Sequence, residues 1–209
     1  MRKIGLFGGT FDPIHRAHRR MATAFAEQIA LDEVVLIPAG DPYHKTATRT
    51  PARHRLAMCV LATAEQPLFS VSDIDIMRAG ATYTYDTVRM FRQTDNAAQW
   101  WWLLGSDSLR QLHTWHRYRE LLRLVNFAVA WRDEDNAADL PDITRELIAA
   151  GASAAQNDAA VGQIRFLHWP PEHISSSAIR ERLLRGENAD GMLDEPVANY
   201  IRQHRLYRA

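Results

Sequence analysis

The chain has 209 residues, enough for one hydrophobic core with or without a small appendage. Its 25 basic and 25 acidic residues cancel, which disfavours bulk electrostatic binding to nucleic acid or anionic lipid, and 46% hydrophobic with 24% charged residues is a soluble, globular composition. No apolar run approaches the roughly 18 residues of a membrane helix, and Met1-Arg2-Lys3 leads into too few apolar residues for a signal peptide, so a cytoplasmic location is expected.

Residues 3–7 read as a first strand that breaks at Gly8-Gly9 and turns through Asp12-Pro13. A helix is predicted over 15–30, with Met21, Ala24, Phe25 and Ile29 at apolar spacing. Val34 to Pro38 is a short β-branched run of the kind buried on both faces of a sheet. A helix over 51–64 opens with Pro51 in its first turn and carries Cys59, a lone cysteine read as a buried thiol. Leu68 to Val71 is a third strand and Thr84 to Gln93 a helix. Trp100 to Leu104 is a bulky strand whose alternation sends the three indoles to both faces, a packing role. Helical patterns near 106–112 and 117–124 precede the strand Phe127 to Trp131. Residues 133–160 read as a surface helix-and-loop excursion, Ile164 to Trp169 as the last strand, and the chain after Pro170-Pro171 as a small helical segment.

Strands alternating with helices predict an α/β fold: a Rossmann-like, doubly wound, mostly parallel sheet with helices on both faces. We expect one domain over residues 1–209, its ligand outside the carboxyl ends of the strands where strand order reverses. The glycine turn after the first strand lies at such an end.

That turn has the chemistry of an anion site. A helix start offers unpaired N–H groups and the positive end of the helix dipole. Gly8 and Gly9 would let the main chain approach a phosphate closely and take dihedrals closed to other residues. His15 and His18 stand three apart, so their rings share one face of the first turn, and Arg16, Arg19 and Arg20 add local charge. Neither a P-loop nor a G-x-G-x-x-G fingerprint is present. Near the other end, Ile174-Ser175-Ser176-Ser177-Ala178-Ile179-Arg180 repeats the logic: serines cap a helix start, and Arg180 can reach back over it to phosphate oxygens.

G-G-T-F-D-P-I-H-x-x-H resembles the H-x-G-H signature of the nucleotidyltransferase superfamily, in the form of bacterial nicotinate-mononucleotide adenylyltransferases, and I-S-S-S-A-I-R resembles its I-S-S-T-x-I-R motif. Two departures are Ala17 for the usual glycine and Ser177 for threonine. The resemblance implies that His15, His18 and Arg180 are catalytic. It places ATP on Gly8, Gly9, Thr10, Phe11, His15, His18, Gly105, Asp107, Ile174, Ser175, Ser176 and Arg180. Asp107 would meet the ribose. The acceptor would meet Lys45 of the Pro42-to-Lys45 loop, Thr82, Tyr83 and Thr84 of a T-Y-T-x-D-T segment, Trp115 stacking on the pyridine ring, His116, and Arg132. By itself the Thr82–Thr87 segment is a helix cap, with Thr84 or Asp86 as the capping residue.

The implied reaction joins ATP to nicotinate mononucleotide and releases pyrophosphate, with Mg²⁺ carried on the triphosphate and no carboxylate cage in the protein. The attacking phosphate oxygen is already anionic, so no general base is needed, and catalysis rests on positioning and charge stabilisation. Nicotinamide mononucleotide or phosphopantetheine as acceptor, and a nucleotide-binding regulator without turnover, stay open as alternatives. No nucleic-acid or membrane partner is expected, and a homo-oligomer is compatible with the sequence.

Overall fold

A computed structural model describes residues 1–40, 50–131, 135–156, 161–170 and 173–208. The elements in order are β1 (Lys3–Gly9), α1 (Arg16–Ile29), β2 (Glu33–Pro38), α2 (Ala52–Thr63), β3 (Phe69–Val71), α3 (Ile74–Met77), α4 (Thr84–Thr94), β4 (Gln99–Gly105), α5 (Ser106–Arg110), α6 (Tyr118–Leu121), β5 (Asn126–Trp131), α7 (Asp142–Gln156), β6 (Ile164–His168), α8 (Ser176–Leu184) and α9 (Glu195–Gln203). The strands form a six-stranded sheet in the order β3-β2-β1-β4-β5-β6. The order reverses at β1, which puts the switch point at the carboxyl ends of β1 and β4. Pairing is parallel, with Ile4 opposite Trp100, Trp102 opposite Phe127 and Val129 opposite Phe166. The expected α/β fold is the observed one.

The chain divides into two compact units, each built from three stretches. The first comprises Met1–Gly8, Ala24–Val34 and Tyr83–Pro171. Its core is β4 and β5, buried along almost their whole length, as expected of parallel strands covered on both faces. Trp100, Trp101 and Trp102 are all buried, so the indoles pack as the alternation predicted. The Trp100 and Trp101 indole N–H groups donate to the Asp95 carbonyl at 3.0 Å and to Gln99 Oε1 at 3.2 Å, which satisfies the polar edge of each buried ring.

The expected surface excursion is more than that. Helix α7 lies close on β6: a Cβ on Gly151 would come within 2.5 Å of the Ile164 side chain. Only glycine permits that approach.

The second unit comprises Gly9–Thr23, Val35–Thr82 and Glu172–Ala209. It holds the start of α1, helices α2 and α3, and the C-terminal helices α8 and α9. Helix α3 is a single turn, too short to show in periodicity. Pro51 is the N-cap of α2 rather than a first-turn residue. Cys59 is buried, and desolvation pushes its thiol pKa up, as an inert core cysteine requires. The buried face of α1 runs through Ala22, Phe25, Ala26 and Ile29, whereas Met21 and Ala24 are half-buried at its border.

Candidate functional site

The second unit brings together the two motif ends that lie farthest apart in sequence. Ser176 Oγ donates to the Pro13 carbonyl at 2.9 Å, and Arg180 Nη1 donates to the Asp12 carbonyl at 2.7 Å. Arg180 also reaches back over its own helix end to Ser177 Oγ at 3.3 Å. The first turn of α8 is capped by Ser175, whose hydroxyl accepts from the Ala178 N–H at 3.2 Å. Both serine hydroxyls are thus engaged within the protein, and the helix offers an anion its first-turn N–H groups. Ile174 is half-buried just ahead of the cap.

At the other motif, His15 sits one residue before α1. The His15 and His18 rings stack with centroids 3.7 Å apart and planes at 24°. Phe11, buried, meets the His18 ring edge-on at 5.1 Å. His18 Nδ1 accepts from the His15 backbone N–H at 3.3 Å, a reciprocal helix cap that assigns the His18 proton to Nε2. His15 Nδ1 is buried and has no hydrogen-bond partner among the described residues. Desolvation pushes the His15 pKa down to about 4; burial, then the charge of its neighbour His15, lowers that of His18. At neutral pH both rings are therefore uncharged donors, and fixed positive charge comes from Arg180. The methyl of Ala17 is covered by protein, so it takes no space in an open nucleotide site.

The unusual dihedrals expected of the two glycines are not observed. Neither Gly8 nor Gly9 has positive φ; both belong to β1. A Cβ on Gly8 would come 2.6 Å from the Trp102 ring, and one on Gly9 would come 2.9 Å from the Phe11 ring. The left-handed residue of the turn is Phe11, at φ 49. Thr10 is exposed at the crest.

Two further residues hold this turn and were missed in the sequence. Arg55, on α2 and 0% exposed, donates to the carbonyls of Thr10 at 2.8 Å, Thr50 at 3.1 Å and Gly40 at 3.5 Å. It shares a helix face with Met58, Cys59 and Ala62, and a charged residue on that apolar stripe was the available signal. Tyr207 donates its hydroxyl to Asp12 Oδ1 at 2.5 Å. Nothing in the local pattern marks Tyr207 as the partner of Asp12.

The first unit carries most of the acceptor-side candidates. Gly105 ends β4, and Asp107 Oδ1 lies 2.6 Å from where its Cβ would be, so the exposed carboxylate folds back over the glycine. Trp115 is half-buried and meets Trp102 edge-on at 6.4 Å. His116 is exposed and stacks on Tyr83 at 4.3 Å. Tyr83 itself is the N-cap of α4, without a side-chain cap bond, so neither Thr84 nor Asp86 caps that helix. Thr82 is half-buried and belongs to the second unit. Lys45 and Arg132 lie outside the described residues.

The strand order reverses at β1, and the turn ahead of the histidine pair is hydrogen-bonded to the serine-capped helix that carries Arg180. The chain belongs to the cytidylyltransferase-like family, whose model matches residues 6–182. Its relatives narrow the class. A protein of Neisseria meningitidis serogroup C, named "Probable nicotinate-nucleotide adenylyltransferase", is 51% identical over 207 residues, covering 99% of both chains. One of the same name from Chromobacterium violaceum is 46% identical over 209 residues with the same coverage. Among solved structures, the Plasmodium falciparum nicotinic acid mononucleotide adenylyltransferase complexed with NaAD superposes with a TM-score of 0.77 at 18% identity, covering 99% of this chain and 98% of that one. This last likeness is one of fold.

The depressed histidine pKa fixes the sign of an acid dependence. Between about pH 4 and 6.5 the unfolded chain binds a proton at His15 that the folded one does not, so stability falls as pH drops through that window. Thermal melts should show Tm declining from pH 6.5 towards 4, less steeply in His15→Gln. An equal slope in both proteins would remove His15 as a source of the dependence.

Proposed function

We propose that this chain transfers adenylate from ATP to the phosphate of nicotinate mononucleotide, giving nicotinate adenine dinucleotide and pyrophosphate in NAD biosynthesis. One observation carries the reading most directly: Ser176 and Arg180 of the distal motif bind the carbonyls of Pro13 and Asp12, two and three residues ahead of His15. A triphosphate held there would meet both helix starts. The family and the named relatives supply the acceptor.

A phosphate oxygen of the mononucleotide, already anionic, attacks the α-phosphorus, and the bond from that phosphorus to the bridging oxygen of the β-phosphate breaks. No proton need be abstracted. His15 and His18 donate to α- and β-phosphate oxygens, while Arg180, the α8 first turn and Lys45 hold the leaving pyrophosphate. Phe11, Thr10 and the glycines shape the adenylate end, and Gly105 and Asp107 serve the ribose. Mg²⁺ arrives on the triphosphate. Magnesium keeps much of its water and needs few protein ligands, so no carboxylate cage is required of the protein. The pyridine ring is assigned to the Trp115 indole, with Thr82, Tyr83, Thr84, His116 and Arg132 around it. No helix among the described residues is long and apolar enough to cross a membrane. We place the enzyme in the cytoplasm, where its substrates are dissolved.

The decisive experiment supplies ATP with nicotinate mononucleotide, nicotinamide mononucleotide or phosphopantetheine and compares pyrophosphate release. Nicotinate mononucleotide should give the highest kcat/KM; preference for either other acceptor would replace the assignment. Trp115→Ala should raise KM for the mononucleotide by about tenfold, the worth of one aromatic stacking contact, with a smaller change for ATP. Equal changes for both substrates would reject the stacking role.

A further inference from the structure

Asp12 presents a puzzle within a site built for anions. Its carboxylate is 2% exposed and lies one residue from the carbonyl that Pro13 offers to Ser176, while its own carbonyl anchors the Arg180 guanidinium at 2.7 Å. A negative charge beside the cation that must grip phosphate is unfavourable unless something else holds it.

What holds it is the C-terminal turn. Tyr207, 9% exposed, donates its hydroxyl to Asp12 Oδ1 at 2.5 Å, and the Thr50 side chain hydrogen-bonds the same phenol. The turn is an unusual one for L-residues: Arg205 and Tyr207 both have left-handed backbone, at φ 52 and φ 58. Such conformations persist only where their surroundings hold them and cluster at functional places. The same turn lines a cavity of about 280 Å³ with Arg180 and Thr50. Burial and the hydrogen bond to Asp12 raise the Tyr207 pKa, so the phenol keeps its proton and remains a donor across the working pH range.

We propose that Tyr207 is a positioning residue for adenylate transfer: by occupying the Asp12 carboxylate it keeps that charge from pairing with Arg180 and leaves the guanidinium to the substrate's phosphates. The inference rests on the proposed function for its substrate. It adds a role for a residue that touches no reacting atom. Without the phenol hydroxyl, the buried carboxylate loses a donor while the Arg180 guanidinium already sits on the carbonyl of the same residue.

The test is Tyr207→Phe, alone and combined with Asp12→Asn, in the full-length protein. The single variant should lower kcat/KM for ATP by about tenfold or more, the effect of one hydrogen bond to a charged group, and leave KM for nicotinate mononucleotide within about twofold. Asn at position 12, which cannot form the competing ion pair, should recover most of that loss in the Tyr207→Phe background. A purely structural role would make the double variant worse than the single one. Wild-type efficiency in Tyr207→Phe, or no recovery in the double variant, overturns the proposal. Calorimetric titration with ATP separates the two readings: if wild type binds ATP but forms no dinucleotide, the proposed reaction fails. Weaker ATP binding by Tyr207→Phe, restored by Asp12→Asn, would still establish the role of Tyr207.

Discussion

His18→Ala is expected to lower kcat by about 100- to 1000-fold, the cost of removing one preorganised donor from a developing charge. The side chain has two tasks that pull the result in different directions. Its Nδ1 caps α1 by accepting the His15 N–H, and loss of such a cap costs about 1 kcal/mol of stability. Its Nε2–H is the donor assigned to the triphosphate. The helix itself should survive, because Phe25 and Ile29 remain buried along the same element. Asn at position 18 retains an acceptor and a donor on a short side chain, so His18→Asn should restore stability more than rate. Steady-state kinetics with thermal melts on both variants decide the matter. A His18→Ala enzyme that turns over near the wild-type rate would exclude the histidine from the phosphate contact.

The largest expected loss of stability is at Arg55. Its guanidinium is fully buried and serves the carbonyls of Thr10, Thr50 and Gly40. Methionine fills similar volume but donates nothing, so Arg55→Met leaves one buried and two part-buried carbonyls without their donor. At about 1–3 kcal/mol for each polar group left unsatisfied, the loss is about 3–5 kcal/mol, because the part-buried carbonyls can turn to water. For a chain of this length that is about 6–20 °C in Tm. Activity should fall as well, because the Thr10 carbonyl belongs to the crest of the turn ahead of His15. A Tm within about 2 °C of wild type would show that these carbonyls find other donors.

Much of this could be read from residues alone, and the exceptions have a common cause. Apolar runs exposed the sheet because β2, β4 and β5 are buried on both faces, and the triplet Trp100–Trp102 betrayed β4 by bulk alone. The two phosphate motifs were legible because local spacing places their groups on helix starts. Arg55 and Tyr207 were not, since their meaning lies in bonds to partners as far as 45 and 195 residues away. The dihedral half of the glycine reading fails, since neither Gly8 nor Gly9 has positive φ, and a Cβ at either would meet Trp102 or Phe11. Periodicity reports which face is buried, never which distant ring lies against it.

The hydrogen bonds from Ser176, Arg180 and Tyr207 to the histidine turn span 163, 168 and 195 residues. During translation the turn emerges 163 residues before Ser176 and 195 residues before Tyr207 can clamp it. A nascent chain stalled before residue 207 would carry every histidine of the motif and still lack the Asp12 latch. Any truncation that removes Tyr207 should therefore release the Asp12 carboxylate even with the histidine motif intact.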